Sequence, residues 1–254
     1  MRPPLSPTLC AAVASWLAIA SAAAQSPPRP PKPYEPVAIT RPAPSDDAEF
    51  IAFRGALAAA AKSRLYTELS PLLLTQGFFW DRDFGRRFDR RKPAVDNLAL
   101  AIALEQGNGV GWDTLATFAA EPTVEPLESR PGVVCAPARP GYDGVAFTKM
   151  LDVTYTTGMD WAYPRADETP VRAAPQPSAT LVGKLGPHFV RLLGFEGPDS
   201  DPAAGRNLWA RIAMPDSQPG FVAPGSLMSL TSERLCYIKD VVGWRIAGYI
   251  AGGN

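Results

Sequence analysis

From residue 45 onward, apolar residues return every three or four positions, and four helices follow from that spacing. Ser45 or Asp46 can cap the first. Asp46, Asp47 and Glu49 suit its positive end, and Phe50, Phe53, Leu57, Ala60, Arg64 and Leu65 keep the helical period. Tyr66, Leu69 and Leu73 predict a short second helix that Gly77 ends. Val95, Leu98 and Ile102 share one face of a third, with Pro93 near its start. Trp112, Leu115 and Phe118 mark a fourth between Gly111 and Pro122. Residues 45–122 therefore predict a small helical domain with a modest core, marginal if it folds alone.

A proline-rich connecting segment, residues 123–152, carries Cys135 and a short helix from Asp143 to Leu151 with Phe147, Met150 and Leu151 facing inward. At Val153 the helical period stops. Short β-rich runs such as "TPVRAA", "ATLVGKLG", "HFVRLLG", "NLWARIAM", "RLCYIKD" and "VGWRIAGYI" follow, separated by Gly, Pro, Asp and Asn. Short strands at that spacing predict a small antiparallel barrel over 153–254, with Val171, Val182, Leu185, Val190, Leu192 and Ile212 inside. The fold class is α+β.

The front of the chain reads as an address. Arg2, the apolar run "LCAAVASWLAIA" and the small residues Ala22-Ala23-Ala24 before Gln25 have the form of a signal peptide over residues 1–24. That run falls short of the roughly 20 apolar residues a membrane span needs. The expectation is a periplasmic or secreted protein with no stable membrane insertion after cleavage. Residues 25–44 follow as a proline-rich linker, with eight prolines between positions 26 and 44 that favour an extended chain.

"TPVRAAPQPSATLVGKLGPHFVRLLG" followed by "NLWARIAMPDSQPGFVAPGSL" resembles a bacterial SH3-like (SH3b) domain. Val171-Arg172-Ala173-Ala174-Pro175 stands at the family's opening strand, Val182-Gly183-Lys184-Leu185 at the next, Trp209-Ala210-Arg211-Ile212 at the "W-x-x-V" strand, and Gly220-Phe221-Val222 with Leu227 at the close. Phe221 replaces a common Trp, and "GFEGPDSDPAAGRN" is a long loop. The layout is also similar to a class of uncharacterised exported bacterial proteins with a helical front domain and a final "C-Y-x-K…G-W-x-I-x-x-Y" segment. Here that segment runs from Cys236 to Tyr249, with Asp240–Gly243 as the turn of a C-terminal β-hairpin added to the SH3-like barrel. The resemblance implies binding of a cell-wall component or an envelope protein.

Composition narrows the function. The chain has 25 basic and 25 acidic residues; losing Arg2 with the leader leaves a net charge near −1, so no global field favours nucleic acid. After cleavage Cys135 and Cys236 remain, which in an oxidising compartment most simply form one disulfide, two separate buried thiols being the alternative. With a single histidine and no C-x-x-C, neither a metal nor a cofactor is expected. His188 lacks a nucleophile elbow, and the glycines of "GNGVGW" lie between helices, where no dinucleotide fingerprint occurs.

"WDRDFGRRFDRRK", residues 80–92, carries a local excess of +3. Arg86, Arg87, Arg90 and Arg91 are the candidate anion contacts, and Trp161, Tyr163 and Phe221 the candidate ligand-binding aromatics, while Trp209 and Trp244 read as core. No catalytic residue is assigned. Two alternatives stay open: an envelope hydrolase acting on glycan through Asp81, Asp83 or Asp113, and a structural scaffold that binds no ligand.

Overall fold

A computed structural model describes residues 31–83, 85–105, 107, 109–197 and 208–253. The signal-peptide reading, the first residues of the linker and much of the long loop after residue 197 lie outside them. Residues 31–254 form one unit. In chain order its elements are β1 (Ile39–Thr40), α1 (Ala48–Ser63), α2 (Tyr66–Leu69), β2 (Phe79–Asp81), α3 (Ala94–Ala101), α4 (Val110–Ala120), β3 (Glu125–Pro126), β4 (Val133–Ala136), β5 (Gly141–Tyr142) and α5 (Gly144–Thr154). Then come β6 (Trp161–Pro164), β7 (Thr169–Arg172), β8 (Leu181–Leu185), β9 (Val190–Glu196), β10 (Trp209–Ala213), β11 (Pro219–Val222), β12 (Leu227–Ser229), β13 (Arg234–Asp240) and β14 (Gly243–Ile250).

The fold is α+β, and the helices form where the periodicity places them. Asp47 caps α1 by accepting from the amides of Glu49 (2.8 Å) and Phe50 (3.0 Å), and Phe50, Phe53, Leu57 and Ala60 form its buried stripe. Arg64 ends it in the left-handed region (φ 57°), so Arg64 and Leu65 leave the helix and Leu65 is exposed. Asp143 caps α5 in the same way, and its Phe147 and Met150 are buried.

Two larger sheets receive these helices. The first has the order β2-β14-β13-β4-β3, with β14 parallel to β2 and the other pairs antiparallel. Its inner face completes the helical core: Leu235, Tyr237, Ile246 and Tyr249 join Phe50, Leu57, Leu98, Leu115 and Phe118 in one cluster. The C-terminal hairpin therefore belongs with the helices, and not with the β-domain to which sequence attached it. The physical reason is that residues 45–122 alone lack the apolar surface to cover their own helices. Cys135 and Cys236 face each other across β4 and β13 and are joined, 101 positions apart in sequence.

The second sheet has the order β12-β6-β9-β10-β11-β7-β8. It is open, with β12 and β8 as its edges, so among the described residues the expected barrel does not close. Val171, Leu185, Val190, Ala210, Ile212 and Val222 fill its inner face and Leu192 packs against them, but Val182 is exposed. On β8 Val182 has the opposite parity to Leu185, which points it outward.

The linker expectation changes where it is described. Tyr34, Val37 and Ile39 are buried, and Ile39 pairs with Tyr142 through β1 and β5. The Tyr34 hydroxyl donates to Ala213 O at 2.9 Å. Prolines forbid helix here, yet an extended chain still buries every suitably placed apolar side chain, and this one does.

Candidate functional site

Strand parity builds the outer face of the second sheet. Ala210 and Ile212 point into the core, which turns Trp209 and Arg211 outward; Val171 and Val222 do the same for Arg172 and Phe221. Phe221 stands between Arg172 and Arg211 across three strands. Beside this row opens a cleft of about 490 Å³, walled by Trp209, Pro170, Arg172, Pro175, Pro177 and Pro224, with Gln176 and Ser226 as polar groups. Its rim is fixed. Arg172 Nη1 donates to Ala179 O at 2.7 Å, and Ala173 N donates to Thr180 O at 2.9 Å, which closes the proline-braced turn over the strand end.

The structure separates the three candidate aromatics. Phe221 lies on this face, half-buried. Trp161 and Tyr163 do not line a groove: both are buried with Tyr34, Phe147 and Phe189. Trp161 Nε1 donates to Thr156 Oγ1 at 2.8 Å, and burial pushes the Tyr163 phenol up to about 12. The turn residues flanking them suggested exposure, but the packed segment 34–39 covers both. Trp209, read as core, is buried at 7% exposure and in addition lines the cleft.

The basic run divides as well. Arg90 and Arg91 lie on the wall of a second pocket, about 860 Å³, with Lys92 of the same run and with Arg130, which sequence did not single out. Arg86 and Arg87 are exposed on the preceding loop, with the Arg87 guanidinium 5.8 Å from the centre of the Trp80 ring. Asp89 binds Arg91 through both carboxylate oxygens (3.0 and 2.9 Å), and this hydrogen bonding holds its carboxyl down to about 2.

The candidate hydrolytic carboxylates are not gathered. Asp81 pairs with Arg130 (3.2 Å), Asp83 accepts from the amides of Gly85 and Phe88, and Asp113 on α4 pairs with Arg64 (3.3 Å). No pocket found among the described residues is lined by two of them. His188 Nδ1 lies 3.0 Å from the carbonyl oxygen of the adjacent Phe189. The glycine-rich stretch serves helix packing, since Gly111 sits against the backbone of Ile102–Leu104. Among the described residues no group of three or more metal-ligating side chains occurs, and no helix is long and apolar enough to cross a membrane.

No family model, no curated protein and no solved structure matches this chain.

Proposed function

We propose that this is an exported binding protein of the cell envelope, in which the seven-stranded sheet is an SH3-like module that holds a peptide or glycan strand of the wall. The observation that carries the reading is the cleft beside Trp209. It combines one flat indole wall, four prolines whose ring geometry is already fixed, and a guanidinium anchored by its own turn. Such a surface orders little on binding, so a weak contact per unit area still yields net affinity. Export is supported by the joined cysteines, because such bonds persist in oxidising compartments. Holding is the role this reading assigns, with Arg172, Gln176 and Ser226 as the polar groups that orient the strand.

The test is co-sedimentation of residues 25–254 with purified peptidoglycan sacculi. The wild-type chain is expected to sediment; Ser226→Tyr, which fills the cleft, is expected to stay in solution while melting normally, and Trp209→Ala, which removes a buried indole, to stay in solution with a lowered melting temperature. A wild-type chain that does not sediment, or variants that sediment equally, would overturn the reading. Release of muropeptides in the same tube would replace it with hydrolysis.

A further inference from the structure

The pocket between α3, β2 and the loop that follows β2 is far from neutral. Its wall carries Arg90, Arg91, Lys92 and Arg130, and the neighbouring carboxylates are Asp81 and Asp89; four cations against two acids leave a net charge of +2. Asp81 and Asp89 are engaged with Arg130 and Arg91, while among the described residues neither Arg90 nor Lys92 has an ion-pair partner. Phe78, Phe79, Trp80 and Phe88 contribute its aromatic floor, the first three with 9% or less of their surface exposed. Trp80 is 7% exposed, and its Nε1 donor has no hydrogen-bond partner. A buried donor left unpaired costs about 1–3 kcal/mol, and among the described residues the Trp244 Nε1 is another such donor.

The cations are held in place by the backbone beneath them. Asn97, 1% exposed, donates from Nδ2 to the carbonyls of Asp89 (2.9 Å), Lys92 (3.3 Å) and Pro93 (3.3 Å), and its Oδ1 accepts from Asp89 N (3.0 Å). Asp83 fixes the other end of the loop through Phe88 N at 2.7 Å. The first turn of α3 reaches the same wall through Ala94, and Pro93 at its cap makes no side-chain capping bond, so the positive end of that helix, partly offset by Asp96 in the same turn, adds to the field.

We propose that this pocket binds a sugar phosphate, with the phosphate between Arg90, Lys92 and the start of α3 and the sugar ring over the aromatic floor. Arg forks and helix amides both match phosphate oxygens, and sugars present apolar C–H faces to aromatic rings. About 860 Å³ is more than a bare phosphate fills, which is why a ring-bearing ligand is the fit. This site is independent of the cleft beside Trp209.

The experiment is a 1H–15N titration of the full mature chain, following the Trp80 indole and the amides of 90–97. N-acetylglucosamine 1-phosphate is expected to give saturable shifts that weaken with salt. Inorganic phosphate and neutral N-acetylglucosamine should each bind at least 10-fold more weakly. Arg90→Gln with Lys92→Gln, both on exposed side chains, should lower affinity at least 10-fold while the rest of the spectrum stays unchanged, and Trp209→Ala should leave it intact. Flotation with phosphatidylglycerol vesicles identifies the source: binding that depends on Arg90 and Lys92 assigns the phosphate to a lipid headgroup, and its absence beside sugar-phosphate binding assigns a soluble ligand. No saturable shift with the sugar phosphate, equal binding of the neutral sugar, or insensitivity to the double variant each overturns the proposal.

Discussion

Adding one methyl group at Gly111 and the same group at Gly55 should move stability in opposite directions. A Cβ on Gly111 would lie 2.4 Å from Ile102 O and 2.6 Å from both Ala103 C and Leu104 N. Comfortable contact for such atoms is about 3.5 Å, so α4 would have to retreat by ~1 Å from the turn that ends α3. All three obstacles are backbone, which no rotamer change relieves. Overpacking of this kind costs ~1–3 kcal/mol, and the rigid neighbours place Gly111→Ala near ~3 kcal/mol. At ~2–4 °C per kcal/mol for a domain of this size, its melting temperature should fall by ~6–12 °C.

Gly55 lies inside α1 on the exposed side, with nothing within 4 Å of where its Cβ would be. Gly55→Ala should therefore gain ~0.5–1 kcal/mol from helix propensity alone. Urea unfolding followed by far-UV circular dichroism, with m compared between variants, measures both. The reasoning is refuted if Gly111→Ala is neutral within ~0.5 kcal/mol, or if the two substitutions share a sign.

Glu125 neutralises Arg234 at 2.7 Å, and the Arg234 side chain is only 8% exposed. Glu125→Gln should cost ~3 kcal/mol in urea unfolding, while Glu125→Leu with Arg234→Met should recover most of it, because an unpaired buried charge is the expensive species. Replacing both Cys135 and Cys236 by Ala should remove ~4–5 kcal/mol by the chain-entropy estimate for a loop of that length, and a non-reducing peptide map checks the pairing first. Burial raises the Tyr34, Tyr163, Tyr237 and Tyr249 phenols above their ordinary value of 10.0. The unfolded chain then loses those protons first as pH climbs. Their contribution is complete below pH ~10 and is lost above it, so phenolate absorbance should rise together with unfolding in that alkaline window. Tyrosines that titrate in full before the fold is lost would contradict this.

Sequence made the helices legible because their information is local. The Phe50–Phe53–Leu57 stripe acts within a turn or two of itself and performs as its spacing implied, while the cap expected at Ser45 or Asp46 falls one residue later, on Asp47. Partnership between distant segments was not legible. Nothing near Tyr237 or Ile246 says that their faces meet α1, and nothing near Tyr34 says that an extended proline-rich strand will cover Trp161. The candidate sites show the same division. Arg90 and Arg91 were visible as a basic run, but Arg130 reaches their pocket from the turn between β3 and β4, 39 or more positions later in the chain, through the tertiary fold alone. Trp209 was read as core and is buried, while its second role in the cleft depends on prolines that only the fold brings beside it.

The strand placed second in the five-stranded order, between β2 and β13, is β14, which comes last of the described elements. It works as a keystone with a clock attached. A chain delivered with its N-terminus leading presents the apolar faces of α1, α3 and α4 long before Ile246 and Tyr249 arrive to cover them. Residues 234–250 lie between β2 and β4, and the same segment carries Cys236 to Cys135. The order of the letters thus leaves the lid of this core, and the bond that fastens it, to the last strands of the described chain.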